Sequence, residues 1–133
     1  RIPHRPPMLL VDEVSEITPD AIVCRKTFHA EEFFFQGHYP GQPIVPGLIL
    51  CECAAQAGAL LAASADQSTS GVPVLTRVTD VRFKQIVRPG DSIEIRVQRD
   101  ETLANATYFS AKITLGGKLA VSLQFAAMQT GGE

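Results

Sequence analysis

The sequence predicts an α+β domain, an antiparallel sheet of about six strands wrapped around one long central helix. Three observations predict it. Leu48 to Ala65 is long enough, and rich enough in Ala and Leu, to be a helix. The text on either side breaks into runs of strand character bounded by turn residues. Strands and helix do not alternate, because the order is hairpin, helix, meander, which disfavours the parallel βαβ arrangement. One apolar helix and one sheet bury each other most simply as two layers. Residues 1–133 read as a single domain, and 45% hydrophobic with 20% charged residues is enough for a real core.

The elements follow in order. Arg1 to Pro7 holds three prolines and is irregular. Met8 to Ile17 reads as a strand after an irregular start, Thr18-Pro19-Asp20 as a turn, and Ala21 to His29 as the second strand of a hairpin. Glu31 to Pro46 is a loop of Phe, Gly and Pro. Pro46 stands at the helix entrance, where its missing N–H costs nothing. The helix surface is apolar almost all round, which predicts burial on most sides. Asp66 to Gly71 is a polar loop. Val72 to Val87 reads as one long, bulged strand, Arg88 to Asp91 as a turn, and Ser92 to Arg99 as an alternating strand. Ala106 to Leu115 and Lys118 to Gln129 flank Gly116-Gly117, a tight-hairpin signal. A sheet with open edges invites pairing between chains, so a homodimer is expected.

Composition excludes several functions. A net charge of −2 lacks the basic excess of a nucleic-acid binder. Leu48 to Ala65 is Ala-rich and carries Glu52 and Gln56, a poor membrane span. Cys24, Cys51 and Cys53 fit neither a zinc site nor a redox CxxC. They read as reduced, buried small hydrophobes in a cytoplasmic protein with no visible signal peptide.

The chemistry concentrates between Phe34 and Gln56. Gly37, Gly41 and Gly47, with Pro40, Pro43 and Pro46, make a tightly turned loop that fixes His38. Histidine suits base chemistry near neutral pH, although a structural histidine is the simpler reading. Glu52 is the one charged residue between His38 and Asp66, and Gln56 follows one turn later on the same helix face. Burial would raise the pKa of such a carboxyl and suit it to general acid work; a rim carboxylate facing water is the alternative. Gly47 opens the helix, where unpaired N–H groups could polarise a carbonyl and stabilise an enolate, or where Pro46-Gly47 merely turns the chain.

Several separated motifs occur together: Pro3-His4-Arg5, Leu9-Leu10-Val11-Asp12, Phe34-Phe35-Gln36-Gly37-His38-Tyr39-Pro40-Gly41, Pro43, Pro46-Gly47, Glu52 with Gln56, Arg82-Phe83-Lys84 and Pro89-Gly90-Asp91. In order and spacing they resemble the signature of the 3-hydroxyacyl-[acyl-carrier-protein] dehydratases of type II fatty acid synthesis, the FabZ-like group. The fourteen-residue step from His38 to Glu52 matches that family's His-to-Glu step. The likeness runs from about residue 2 to residue 95 and weakens afterwards. It implies the hotdog fold and an active site at a dimer interface. His38 of one subunit would take the proton from C2 of the substrate. Glu52 of the partner would protonate the leaving 3-hydroxyl, and the Gly47 N–H would hold the thioester carbonyl. The product would be a trans-2-enoyl thioester, formed without metal or redox cofactor. Trimers of dimers also occur in the family. Tyr39 replaces the usual Phe, Phe33 stands where Pro is common, and Cys51 and Cys53 flank Glu52. Glu at position 52 resembles the plain dehydratases, in contrast to the isomerising group, which carries Asp.

Phe34, Phe35, Tyr39, Ile44, Val45 and Gln56 are the candidates for lining an acyl tunnel, or they belong to the core. Half of the twelve Lys and Arg lie between Arg77 and Arg99. Arg82, Lys84 and Arg88 would form a docking patch for an acidic acyl carrier protein, with Arg82 and Lys84 on one strand face opposite Val81 and Phe83; a solvated sheet face is the plainer reading. The same residues would serve a hydratase acting on coenzyme A thioesters. A hotdog thioesterase and a catalytically silent acyl-binding subunit are the other functions considered.

Overall fold

Hydrophobic alternation and turn chemistry set out six strands and one helix: β1 (Glu13–Ile17), β2 (Ala21–Thr27), α1 (Gly47–Ala65), β3 (Pro73–Phe83), β4 (Ser92–Leu103), β5 (Ala106–Leu115) and β6 (Lys118–Gln129). The structure, a computed structural model, describes residues 9–32, 35, 44–65 and 73–129. The proline-rich start, the polar loop after α1, and Phe34, His38 and Tyr39 therefore lie outside the described residues.

All strands join one antiparallel sheet in the order β1-β2-β4-β5-β6-β3. β1 and β2 form the expected hairpin. Its turn is closed by Thr18, whose N–H donates to the Ala21 carbonyl at 2.8 Å and whose Oγ1 accepts from the Ala21 N–H at 3.1 Å. Gly116 and Gly117 have φ of 60° and 81°, a pair of positive values that fits a two-residue turn between twisted strands. One sheet face is apolar: Ile22 and Cys24 on β2, Ile93, Ile95 and Val97 on β4, Phe109, Ala111 and Ile113 on β5, and Leu123 and Phe125 on β6 are all buried. α1 lies on that face, chiefly against β4, β2 and β5. Near the helix C-terminus the Arg99 guanidinium donates to the Leu61 carbonyl at 3.3 Å, a cation where the helix dipole is negative.

Three expectations are corrected. β1 starts at Glu13, not in the Met8 region, because the Leu10 N–H is taken by a side chain of α1 instead of a neighbouring strand. β3 ends at Phe83, not Val87: Lys84 and Gln85 both direct their N–H groups at the Ala120 carbonyl, and Val87 gives its carbonyl to Val45 at the helix entrance. β4 continues to Leu103, because pairing with Tyr108, Thr107 and Ala106 carries it past the helix although Asp100 to Leu103 are not buried. The helix is covered on most sides, as its apolar surface predicts: Leu50, Cys53, Ala54, Gln56, Ala57 and Leu61 are buried, Ile49, Cys51 and Leu60 are half-buried, and among the described side chains of α1 Leu48 alone is exposed, at 81%.

The helix meets the sheet closely at Gly58. A Cβ there would stand 2.7 Å from Phe125 Cζ, and that ring is stacked on Phe109 with centroids 4.9 Å apart. The ring has nowhere to retreat, so Gly58→Ala destabilises the protein by about 1–3 kcal/mol in urea unfolding. The gain in helix propensity, about 1 kcal/mol, offsets only part of the overpacking.

Candidate active site

Glu52 sits in the second turn of α1, half-buried, with Gln56 four residues on and therefore on the same face. Gln56 Nε2 donates to Glu52 Oε2 at 2.9 Å. Gln56 Oε1 accepts from the Leu10 N–H at 2.8 Å. Gln56 and Leu10 are both fully buried. The amide thus spans from the segment before β1 to the carboxylate and fixes the side chain of Glu52. Gln56, a candidate for lining the acyl tunnel, makes this bridge with its amide oxygen and nitrogen both engaged.

Gly47 is the first residue of the helix. The Pro46 carbonyl accepts from Ile49 at 2.9 Å and Leu50 at 3.3 Å, so the N–H groups ahead of them, at Gly47 and Leu48, point out of the helix end. The Phe83 ring lies against Gly47, where a Cβ would meet its Cζ at 2.8 Å. Phe83 is itself 53% exposed, and so is a covering ring at the helix entrance. Phe35 and Val45 are buried in the main core and Ile44 is half-buried.

Arg82, Lys84 and Arg88 are all exposed. Arg82 and Lys84 do not share one strand face: β3 carries a register shift between Thr79 and Arg82, with Asp80 at φ 53°, and it ends before Lys84. Arg82 is the last residue but one of β3, and Lys84 and Arg88 lie in the connection to β4. His38, with Phe34 and Tyr39, lies outside the described residues.

Sequence reasoning missed Lys26. In β2 the core-facing alternation Ile22, Cys24 continues to Lys26 and, just past the strand, to Phe28, and Lys26 is only 5% exposed. Lys26 Nζ stands 2.8 Å from Glu32 Oε1, 3.7 Å from Asp12 Oδ1 and 5.4 Å from the centre of the Phe28 ring. The signal was present in the sequence as a lysine in phase with the apolar face.

The three cysteines are free. Cys24 and Cys53 are buried as expected; Cys51 is only half-buried. Burial pushes the Cys24 thiol up to about 11 and raises Cys51 and, most of all, Cys53. A folded thiol that keeps its proton while the unfolded one releases it near 9.0 costs stability as pH rises. Urea midpoints are therefore expected to hold up to about pH 9 and to fall between there and about pH 11. In native protein at pH 8, Cys51 is expected to react with a thiol reagent well before Cys24 and Cys53.

Among the described residues no group of three or more His, Cys, Asp or Glu is placed to hold a metal ion. Among them, too, no helix is long and apolar enough to cross a membrane.

Comparison with known proteins places this arrangement. The model of the FabA-like domain matches residues 2–124. The chain belongs to the FabA-like family. Among FabA-like relatives, the 3-hydroxyacyl-[acyl-carrier-protein] dehydratase FabZ of Rickettsia massiliae is 40% identical over 129 residues, 96% of this chain and 89% of the relative. The protein of the same name from Clostridium perfringens is 38% identical over 121 residues, 91% of this chain and 87% of the relative. Among solved structures, the dehydratase heterocomplex ApeI:P from Xenorhabdus doucetiae superposes with a TM-score of 0.84 at 18% identity, covering 98% of this chain and 88% of that one. A hypothetical thioesterase with coenzyme A from Streptococcus pneumoniae gives 0.69 at 13% identity, covering 90% and 88%. At those identities the superpositions speak for the fold, which is the hotdog expected of a FabA-like chain.

Proposed function

We propose that this chain is a 3-hydroxyacyl-[acyl-carrier-protein] dehydratase, a hydro-lyase of fatty acid biosynthesis that forms a trans-2-enoyl thioester and water. The observation that carries the reading is identity of 38–40% over more than nine-tenths of the chain to proteins of that name. The described geometry supports it. A carboxylate held rigidly beside a helix N-terminus is the equipment for moving a proton next to a polarised carbonyl.

In this reading residues 1–133 act as one hotdog dehydratase-like domain. His38 removes the C2 proton. The enolate charge that develops on the thioester oxygen meets the Gly47 N–H at the positive end of α1. Glu52 gives a proton to the 3-hydroxyl as it leaves, and Gln56 keeps the carboxyl aimed during the transfer. Phe34, Phe35, Tyr39, Ile44 and Val45 border the acyl chain, and Arg82, Lys84 and Arg88 attract an acidic carrier protein. The thioester itself acidifies C2, so the chemistry calls for no cofactor. The working form is a homodimer. β3 is an edge strand with Val74, Leu75 and Val78 each at least 40% exposed, a poor surface to leave in water. A reducing cytoplasm suits three free thiols.

The test is hydration of a short trans-2-enoyl thioester, offered on acyl carrier protein and on coenzyme A and followed by loss of enoyl absorbance. Turnover that prefers the carrier protein is the expected result. Turnover on coenzyme A alone would point to a hydratase. Thioester hydrolysis in place of hydration, or no turnover by folded protein on either carrier, would overturn the reading.

A further inference from the structure

We propose that Lys26 is a positioning residue for this reaction: with Glu32 and Asp12 it clamps the turn after β2 to the segment before β1, which holds Glu52 through Gln56. The inference rests on the reading of Glu52 as the general acid.

The case begins with cost. An ammonium taken from water into an apolar layer loses several kcal/mol of solvation, and the ion pairs that compensate seldom give more than break-even against an apolar side chain of the same size. Lys26 stands in line with Ile22, Cys24 and Phe28, where an apolar residue would pack without that cost. Stability does not account for the lysine. What it does account for is the joining of three pieces of chain.

One piece is the segment before β1. Asp12 faces Lys26 at 3.7 Å, accepts from the Thr27 N–H at 2.7 Å, and donates its own N–H to the Arg25 carbonyl at 3.0 Å. Two residues earlier, the Leu10 N–H holds Gln56, and Gln56 holds Glu52. The other piece is the turn after β2. Glu32 gives one oxygen to Lys26 at 2.8 Å and the other to the His29 N–H at 2.8 Å. Its carbonyl accepts from the Phe35 N–H at 3.1 Å. Phe35 is buried in the main core. One ammonium in β2 thus ties the turn after β2 to the segment that holds Gln56 and, through it, Glu52.

The experiment compares wild type with Lys26→Met and with Ile113→Val, a mildly destabilising change in the core of β5. Steady-state hydration of the enoyl thioester is measured at a temperature where circular dichroism shows all of them folded. Lys26→Met is expected to lower kcat by about 10- to 100-fold with KM little changed, the signature of misplaced catalytic groups. Ile113→Val should stay within about twofold of wild type, since it alters packing away from these groups. Amide hydrogen exchange is expected to quicken at Leu10, His29 and Phe35 in Lys26→Met, and not across the β4–β5 ladder. If Lys26→Met does not fold, Glu32→Gln carries the same expectations, because it keeps an acceptor for His29 and weakens only the ion pair. Unchanged kcat in the folded variant, or an equal fall in Ile113→Val, overturns the inference alone. A wild type without turnover on either carrier overturns the reading of the acid–base pair, and this inference with it.

Discussion

Glu52→Gln lowers turnover by about 10²–10⁴-fold, the range that a positioned general acid contributes, and leaves the melting temperature nearly unchanged. The two halves of that expectation have separate causes. A glutamine side chain keeps an oxygen to accept from Gln56 Nε2, so the contact at 2.9 Å survives and the fold with it. What it cannot do is give up a proton to a leaving hydroxyl. KM is expected to hold, because the carboxyl's proton is needed only as the C–O bond breaks. Rates of enoyl hydration, with thermal unfolding followed by circular dichroism, check both halves. A variant that melts far earlier, or one that turns over like wild type, would remove Glu52 from its assigned role.

Gln56→Leu has the second large effect, and it falls on stability and rate together. The substitution removes the acceptor of the fully buried Leu10 N–H and the donor to Glu52. A buried backbone N–H without a partner costs about 1–3 kcal/mol, and that should appear as a lower urea midpoint. Turnover drops as well, because the carboxyl is no longer aimed. Gln56→Glu separates the two. It restores an acceptor for Leu10 but sets a second carboxylate against Glu52, and two carboxylates in contact cannot both ionise. Stability should recover near neutral pH more than turnover does. Recovery of both in equal measure would mean that the amide acts only as a structural tie.

Much of this was legible in the sequence, for identifiable reasons. The hairpin at Gly116-Gly117 and the bounds of β5 and β6 follow from local turn chemistry and period-two alternation, and the structure keeps them. The helix was legible because nothing but a helix accommodates that length of Ala and Leu, and Pro46 marks its start. The ends of β1, β3 and β4 were less legible because distant groups decide them: the Gln56 side chain captures Leu10, the Ala120 carbonyl collects Lys84 and Gln85, and Tyr108 extends β4. Glu52 stood out as a lone charge in apolar text, and the structure adds the partner that fixes it. Lys26 was hidden for the opposite reason. Placed beside Arg25 it looks like one of two surface cations, and only its phase with Cys24 and Phe28 sends it inward.

The seam between β2 and β4 has a kinetic meaning. Thr27 and Ser92, whose hydroxyls are 2.6 Å apart, are 65 residues distant along the chain. β1–β2 and the β4–β5–β6 meander are built from neighbours and can zip locally within microseconds. Their union must wait for the whole intervening chain, α1 and β3 included, to be looped out. Non-local closures of this kind are the slow ones, since the loop entropy is lost before any contact repays it. The clamp at Lys26 spans the end of β2 at this seam, so a late-closing ladder is also the one that carries the tie to Glu52.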